Sequence, residues 1–211
     1  MVIRTCRDSA GIQPFPWSEA MRQPDRRTCV GLFARGLEGH EAAIDQVRRQ
    51  QSKVVLAAEL IRKSRMQGGK LLLMGNGGSA ADSQHIAAEF LGRFQGDRDP
   101  LPALALTTDT SVLTAIGNDY GFDQIFARQI DGLARFEDVV LGISTSGNSR
   151  NVILAMDAAS RKGCATIALT GEPGDLAARA DVHVGIPGLP TARVQEAHIL
   201  VGHLLCELLD A

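Results

Sequence analysis

Two short segments of the chain place glycine beside hydroxyl or amide side chains, directly after an apolar run and directly before a helical one. The first is Gly75-Asn76-Gly77-Gly78-Ser79, after KLLLM. The second is Ser144-Thr145-Ser146-Gly147-Asn148-Ser149, after VVLGI. Glycines let the backbone approach a ligand closely, and a helix N-terminus adds free N–H groups and a partial positive charge. Four hydroxyls within the second segment can surround a phosphate with neutral donors. A Ser-rich turn that only caps its helix accounts for one or two of them, so the phosphate cradle is the favoured reading. No GK[ST] follows, which separates this loop from a nucleotide P-loop.

The first segment also fits a loose dinucleotide fingerprint, Gly75-x-Gly77-x-x-Ala80. That fingerprint wants an acid about 20 residues on, at the end of the second strand. The acid in that structural place is Asp109, 34 residues past Gly75, so a dinucleotide site is disfavoured. Further along the same helix, His85 and Glu89 stand at i and i+4 and face the same way, a spacing that suits a shared metal ion. Such pairs are also common on helix surfaces. Near the C-terminus, Gln195 and His203 are polar residues in an otherwise apolar segment. A buried, hydrogen-bonded imidazole is the plain reading for His203 and equally for His198. His40 and His183 read as structural.

These residues need a scaffold, and the apolar runs describe one. Residues 70–74 (KLLLM), 103–106 (ALAL), 139–143 (VVLGI), 165–169 (ATIAL) and 182–186 (VHVGI) are short, and they are continuous rather than alternating. Strands of that kind are buried on both faces, as in a parallel sheet flanked by helices. The segments between them are helical in character. A helical stretch reaches from about residue 27 to Met66, with Ala57, Leu60 and Ile61 at helical spacing. The last segment, 191–209, is a long helix whose Leu200, Leu204 and Leu208 read as its core face. The expected class is a three-layer α/β domain over 27–211 with an added N-terminal helical element. Residues 1–26 carry Pro14, Pro16 and Pro24 without periodicity and read as an irregular extension.

Bulk properties narrow the function. A length of 211 residues suits one domain with a continuous core. With 45% hydrophobic and 22% charged residues the composition is that of a soluble globular protein. A net charge of -2 with scattered Lys and Arg gives nucleic acid no footprint. No apolar run approaches the ~20 residues that span a bilayer, and the first residues lack a secretory core. Cys6, Cys29, Cys164 and Cys206 show no CxxC spacing, and the last two read as buried hydrophobes. The expected compartment is the reducing cytoplasm.

Together the segments GNGGSAADSQHIAAEFLGRF (75–94), LTAIGNDYGF (113–122), STSGNS (144–149) and TARVQEAHILVGHLLCEL (191–208) resemble the phosphosugar-isomerase (SIS) superfamily, and within it the phosphoheptose isomerase branch. The resemblance covers roughly residues 30–210. It implies a flavodoxin-like fold with a five-stranded parallel sheet and a homotetramer. It also implies conversion of sedoheptulose 7-phosphate to D-glycero-D-manno-heptose 7-phosphate, the first step of heptose synthesis for the lipopolysaccharide of the bacterial envelope. By motif position His85, Glu89, Gln195 and His203 match the family's zinc ligands, one ion per subunit. Asn76, Gly77, Gly78, Glu89, Asn118, Asp119, Ser144, Thr145, Ser146, Ser149 and Gln195 match its substrate contacts. Residues 1–26 have no counterpart, and Met21 is an alternative start.

The chemistry fits. Moving a carbonyl from C2 to C1 needs a base for the C1 proton and an acid for the carbonyl oxygen, giving an enediol. Glu89 is the expected base and His203 the expected acid. The main alternative is a non-enzymatic member of the superfamily that binds a replication initiator or senses a sugar phosphate, a class that lacks the four-residue metal set. An isomerase for another phosphosugar, such as arabinose 5-phosphate, is a further rival. Gln195 and His203 are eight residues apart, ~12 Å of rise on an ideal helix, so one straight helix brings them to one ion poorly. Either Gln195 precedes the helix or one ligand comes from a neighbouring subunit. The second is favoured, with Glu89→Ala and His203→Ala as the pair whose mixing would test it.

Overall fold

The computed structural model describes residues 25–210. Of the irregular extension expected over residues 1–26, residues 1–24, with Cys6 and Met21, lie outside the described residues, and Arg26 already begins a helix. The single helical stretch expected to end at Met66 is two helices, α1 (Arg26–Arg49) and α2 (Gln51–Met66). The compact unit that carries the sheet begins at Glu38, inside α1. After it come β1 (Leu71–Gly75), α3 (Gly78–Leu91), β2 (Ala103–Ala105), α4 (Thr110–Tyr120), α5 (Ala127–Leu133) and β3 (Val139–Ser144). Then follow α6 (Arg150–Arg161), β4 (Ala165–Thr170), α7 (Gly174–Ala177), β5 (Val182–Gly185) and α8 (Thr191–Asp210).

All five strands pair in parallel, in the order β2-β1-β3-β4-β5. Every residue of β1 and β3 is buried, as their unbroken apolar runs require. Side chains alternate between two cores. Leu71, Leu73, Leu141 and Ile143 point to one face with residues of α2, α3 and α8; Leu72, Met74 and Val140 point to the other with α5 and α6. This is the flavodoxin-like order, in which the chain reverses direction across the sheet between β1 and β3. Ligands of open α/β sheets bind beyond the carboxyl ends of strands at such a point, and both Gly/Ser segments leave the sheet there. The opposite end holds a structural ion pair: buried Asp138 accepts from Lys70 Nζ at 2.6 Å and from the Arg135 and Lys70 backbone N–H groups.

The face of α8 corrects one expectation. Its buried residues are Val194, Ala197, His198, Val201, Gly202, Leu205 and Cys206. Leu200, Leu204 and Leu208 are only partly buried and line an apolar groove of about 470 Å³ with Ile44, Val47, Val54 and Val55. The leucine stripe packs against the margin of the core, while the neighbouring stripe of the helix is the one fully inside it.

His198 is fully buried, and neither ring nitrogen has a hydrogen-bond partner. Burial pushes its pKa down to about 4; the nearby Thr170 backbone opposes the shift without reaching hydrogen-bonding geometry. In the unfolded chain the imidazole titrates near its ordinary value of 6.5. Between those values the unfolded state binds more protons, so stability falls as pH falls through this window. The His198 contribution between pH 7 and pH 4 is about 3 kcal/mol. Urea unfolding of His198→Leu should therefore show a pH dependence flatter by about that amount. A variant curve parallel to wild type would mean that His198 is not held neutral.

Candidate functional site

The 144–149 loop converges on its own hydroxyls. Ser144 Oγ lies 2.8 Å from Ser149 Oγ and 3.4 Å from Ser146 Oγ. Ser149 occupies the N-cap position of α6, yet its side chain makes no capping bond. Simple helix capping is thereby excluded for this serine. The first N–H groups of a helix lack intrahelical acceptors, so hydroxyls and helix end together form an anion-receptive surface.

The loop is fixed from behind by the turn after β4. Thr145 O accepts from Gly171 N and Glu172 N, Gly147 O accepts from Leu176 N, and Asn148 Oδ1 accepts from Asp175 N. Gly147 has φ +67, and a Cβ there would stand 2.4 Å from Glu172 O. Only glycine meets both demands.

The first loop enters α3 at Gly78, where the Gln195 side chain leans against it. A Cβ on Gly78 would lie 2.2 Å from Gln195 Nε2. Gln195 is inside α8, which removes the alternative that it precedes the helix. Its carboxamide therefore sits over the first turn of α3. His85 is seven residues further along α3, ~10 Å of rise.

Two turns down α3, His85, Glu89 and His203 bring one ligand atom each within 4.8 Å of one another. His85 Nε2 is 3.2 Å from His203 Nε2 and 3.3 Å from Glu89 Oε1. Ligand atoms ~2.0–2.1 Å from a tetrahedrally held ion lie roughly 3.3 Å apart, so the spacing fits such an ion. Two imidazole nitrogens facing each other at this distance need a proton or a cation between them. Phe94 packs beside His203 with ring centroids 5.3 Å apart. His203 is not the buried structural imidazole of the plain reading; that place belongs to His198, whose nitrogens are nevertheless unsatisfied. One turn before His85, Asp82 Oδ2 is buried without a partner. Burial raises this carboxyl's pKa to about 6 against the opposing effect of His85.

Other expected residues take other places. Asn118 and Asp119 are exposed at the end of α4, where Asn118 Nδ2 donates to Asp119 Oδ1 at 2.8 Å. Asp119 lines a cleft of about 610 Å³ with Tyr120, Arg128 and Gln129, beside the edge strand β2. Neither residue hydrogen-bonds to either loop among the described residues. Asp109 caps α4 by accepting from Val112 N, which disposes of the dinucleotide acid. His183 pairs with Thr170 Oγ1 and His40 with Glu196, both at 2.8 Å, as structural residues do. Asn151 was not legible as part of the site: it is buried at the start of α6 and paired with Asn76.

Known proteins share this architecture and sequence. The family profile described as SIS domain matches residues 37–171. A phosphoheptose isomerase of Geotalea daltonii is 52% identical over 176 residues, covering 82% of this chain and 92% of that protein. One of Solidesulfovibrio magneticus is 56% identical over 154 residues, covering 73% of this chain and 76% of its own. Among solved structures, the phosphoheptose isomerase of Neisseria gonorrhoeae superposes with a TM-score of 0.81 at 47% identity, covering 87% of this chain and 98% of that one. The structure from Francisella tularensis gives 0.82 at 35% identity with the same coverage. The chain belongs to the phosphoheptose isomerases of the SIS-domain family.

Proposed function

We propose that this chain isomerises sedoheptulose 7-phosphate to D-glycero-D-manno-heptose 7-phosphate through an enediol. The observation that carries the reading is the grouping of His85, Glu89 and His203, an acid–base set of the kind ketose–aldose exchange needs. Glu89 takes the C1 proton while His203 protonates the C2 carbonyl oxygen. The proton is then returned to C2 as the O1 hydroxyl loses its own, with the two roles exchanged. His85 and a Gln195 carboxamide, joined by Glu89 and His203 when these are not exchanging protons with substrate, would hold a zinc ion, which supplies Lewis-acid polarisation of a carbonyl oxygen when bound. The 144–149 hydroxyls hold the phosphate, and 76–78, Asn118, Asp119 and Gln195 complete the substrate contacts by their match to the family motif. A non-enzymatic role is disfavoured, because the His/Glu group is present. Incubation with sedoheptulose 7-phosphate, followed by NMR, should reveal a new aldose phosphate. An unchanged spectrum from metal-loaded protein would overturn the reading.

The subunits assemble as a homotetramer, and the site is shared between them. Support comes from the ~10 Å along α3 that separates the chain's own Gln195 from its His/Glu group. Gln195 and the two loops of one subunit thus face the His85–Glu89–His203 group of a neighbour. The apolar groove lined by Leu200, Leu204 and Leu208 is available for that contact. No helix among the described residues is long and apolar enough to cross a membrane.

A hydroxyl donating to a phosphate dianion contributes ~1.5–3 kcal/mol. Ser146→Ala should therefore weaken substrate binding roughly ten- to a hundredfold, and inorganic phosphate should compete with substrate. Unchanged KM and no inhibition by phosphate would mean that the loop holds no phosphate.

A further inference from the structure

The ends of β1 and β3 lie side by side, with Gly75 in register with Ile143. The loops that leave them are joined by one reciprocal contact. Asn76 Nδ2 donates to Asn151 Oδ1, and Asn151 Nδ2 donates to Asn76 Oδ1, both at 2.9 Å. Asn151 Oδ1 also accepts from Val152 N at 2.9 Å. Asn151 is 2% exposed, and Val152 and Ile153 beside it in α6 are buried as well. A carboxamide in that setting is costly unless paired, so it holds its partner firmly. The two carboxamides are complementary, since each both donates and accepts.

Asn76 is therefore turned toward α6, with one hydrogen and one lone pair of its carboxamide taken up by Asn151. The orientation of the first loop toward a ligand, backbone and Asn76 side chain alike, depends on the pair. We propose that Asn151 is a positioning residue for the isomerisation. Acting through Asn76, it fixes the 75–78 loop relative to the 144–149 loop, so that a substrate anchored by its phosphate meets the first loop in one register. The proposal rests on the reading of 144–149 as the phosphate site. Asn151 itself is buried and acts through this contact alone.

The test is steady-state kinetics on the full-length, metal-loaded protein with sedoheptulose 7-phosphate, and inorganic phosphate as competitor. Asn151→Ala should lose roughly ten- to a hundredfold in kcat/KM, the scale expected when a positioning group is released. The loss should fall mainly on kcat, while inhibition by phosphate changes little, because the Ser144, Ser146 and Ser149 hydroxyls remain. Asn76→Ala should behave alike, and the double variant should be no worse than the poorer single one, as expected of residues in one contact. Asn151→Asp keeps the shape and one of the two bonds; it covers the case in which the alanine variant does not fold, and it too should lose kcat.

A purely structural pillar would lower the melting temperature and leave kcat of the folded protein unchanged. That result, or losses from the two alanine variants that multiply in the double, would overturn the proposal. Failure of the underlying phosphate reading looks different: inorganic phosphate would then not inhibit even the wild type.

Discussion

Gln195→Ala and His203→Ala, each inactive alone, should regain activity when their subunits are allowed to exchange. The expectation follows from where the two residues lie. His203 stands with His85 and Glu89, whereas Gln195 of the same chain leans on Gly78 at the far end of α3. A Gln195→Ala subunit keeps an intact His85–Glu89–His203 group, and a His203→Ala subunit keeps an intact carboxamide. Where the first meets the second across the interface, one complete site forms. Random pairing in equal mixture restores about one quarter of the sites in a closed symmetric assembly.

The structure also changes the choice of pair. Glu89 and His203 belong to one group within one chain, so mixing Glu89→Ala with His203→Ala, the pair favoured from sequence, leaves every site short of a ligand. That mixture becomes the control and should stay inactive. Recovery in the control, or none in the test mixture with exchange confirmed by mass, would mean that the site is not divided in this way.

What the sequence disclosed and withheld follows a physical division. Strands buried on both faces must be apolar throughout, so the five runs showed themselves and with them the sheet. Glycine and serine at strand ends likewise announced the two loops. The leucine stripe of α8 misled because periodicity reports an apolar face without saying what covers it. Leu200, Leu204 and Leu208 obey the same i, i+4 rule as a core face, yet Val194, Ala197, Val201 and Leu205 are the residues inside. His198 and His203 could not be ranked either, since burial is a property of the helix's rotation. Asn151 stayed hidden for a different reason. Its partner Asn76 is 75 residues away, and no local pattern joins two asparagines across neighbouring strands. The grouping of His85 and Glu89 with His203 was legible only through the family motif, because His85 and Glu89 alone are an ordinary surface spacing.

Removing the metal should abolish activity without unfolding the domain. Two of the separations among the three ligand atoms match those around a tetrahedral ion, and the helices that carry them are held together by contacts other than a metal. What joins α3 to α8 is packing: Ile86, Phe90, Val201 and Leu205 are buried, and a Cβ on Gly202 would lie 2.5 Å from Ile86 Cδ1. His85 is half exposed and contributes little to that packing. His85→Ala should therefore leave the metal-free melting temperature near that of the metal-free wild type. It should also lower zinc content and remove the extra stability that bound metal confers by mass action. Activity should fall roughly a thousandfold or more, the several kcal/mol of charge stabilisation such an ion provides. A chelator should do the same to the wild type, and added zinc should restore it. Purified protein without bound metal, fully active in chelator, would leave Glu89 and His203 to work unaided and the zinc assignment would be wrong.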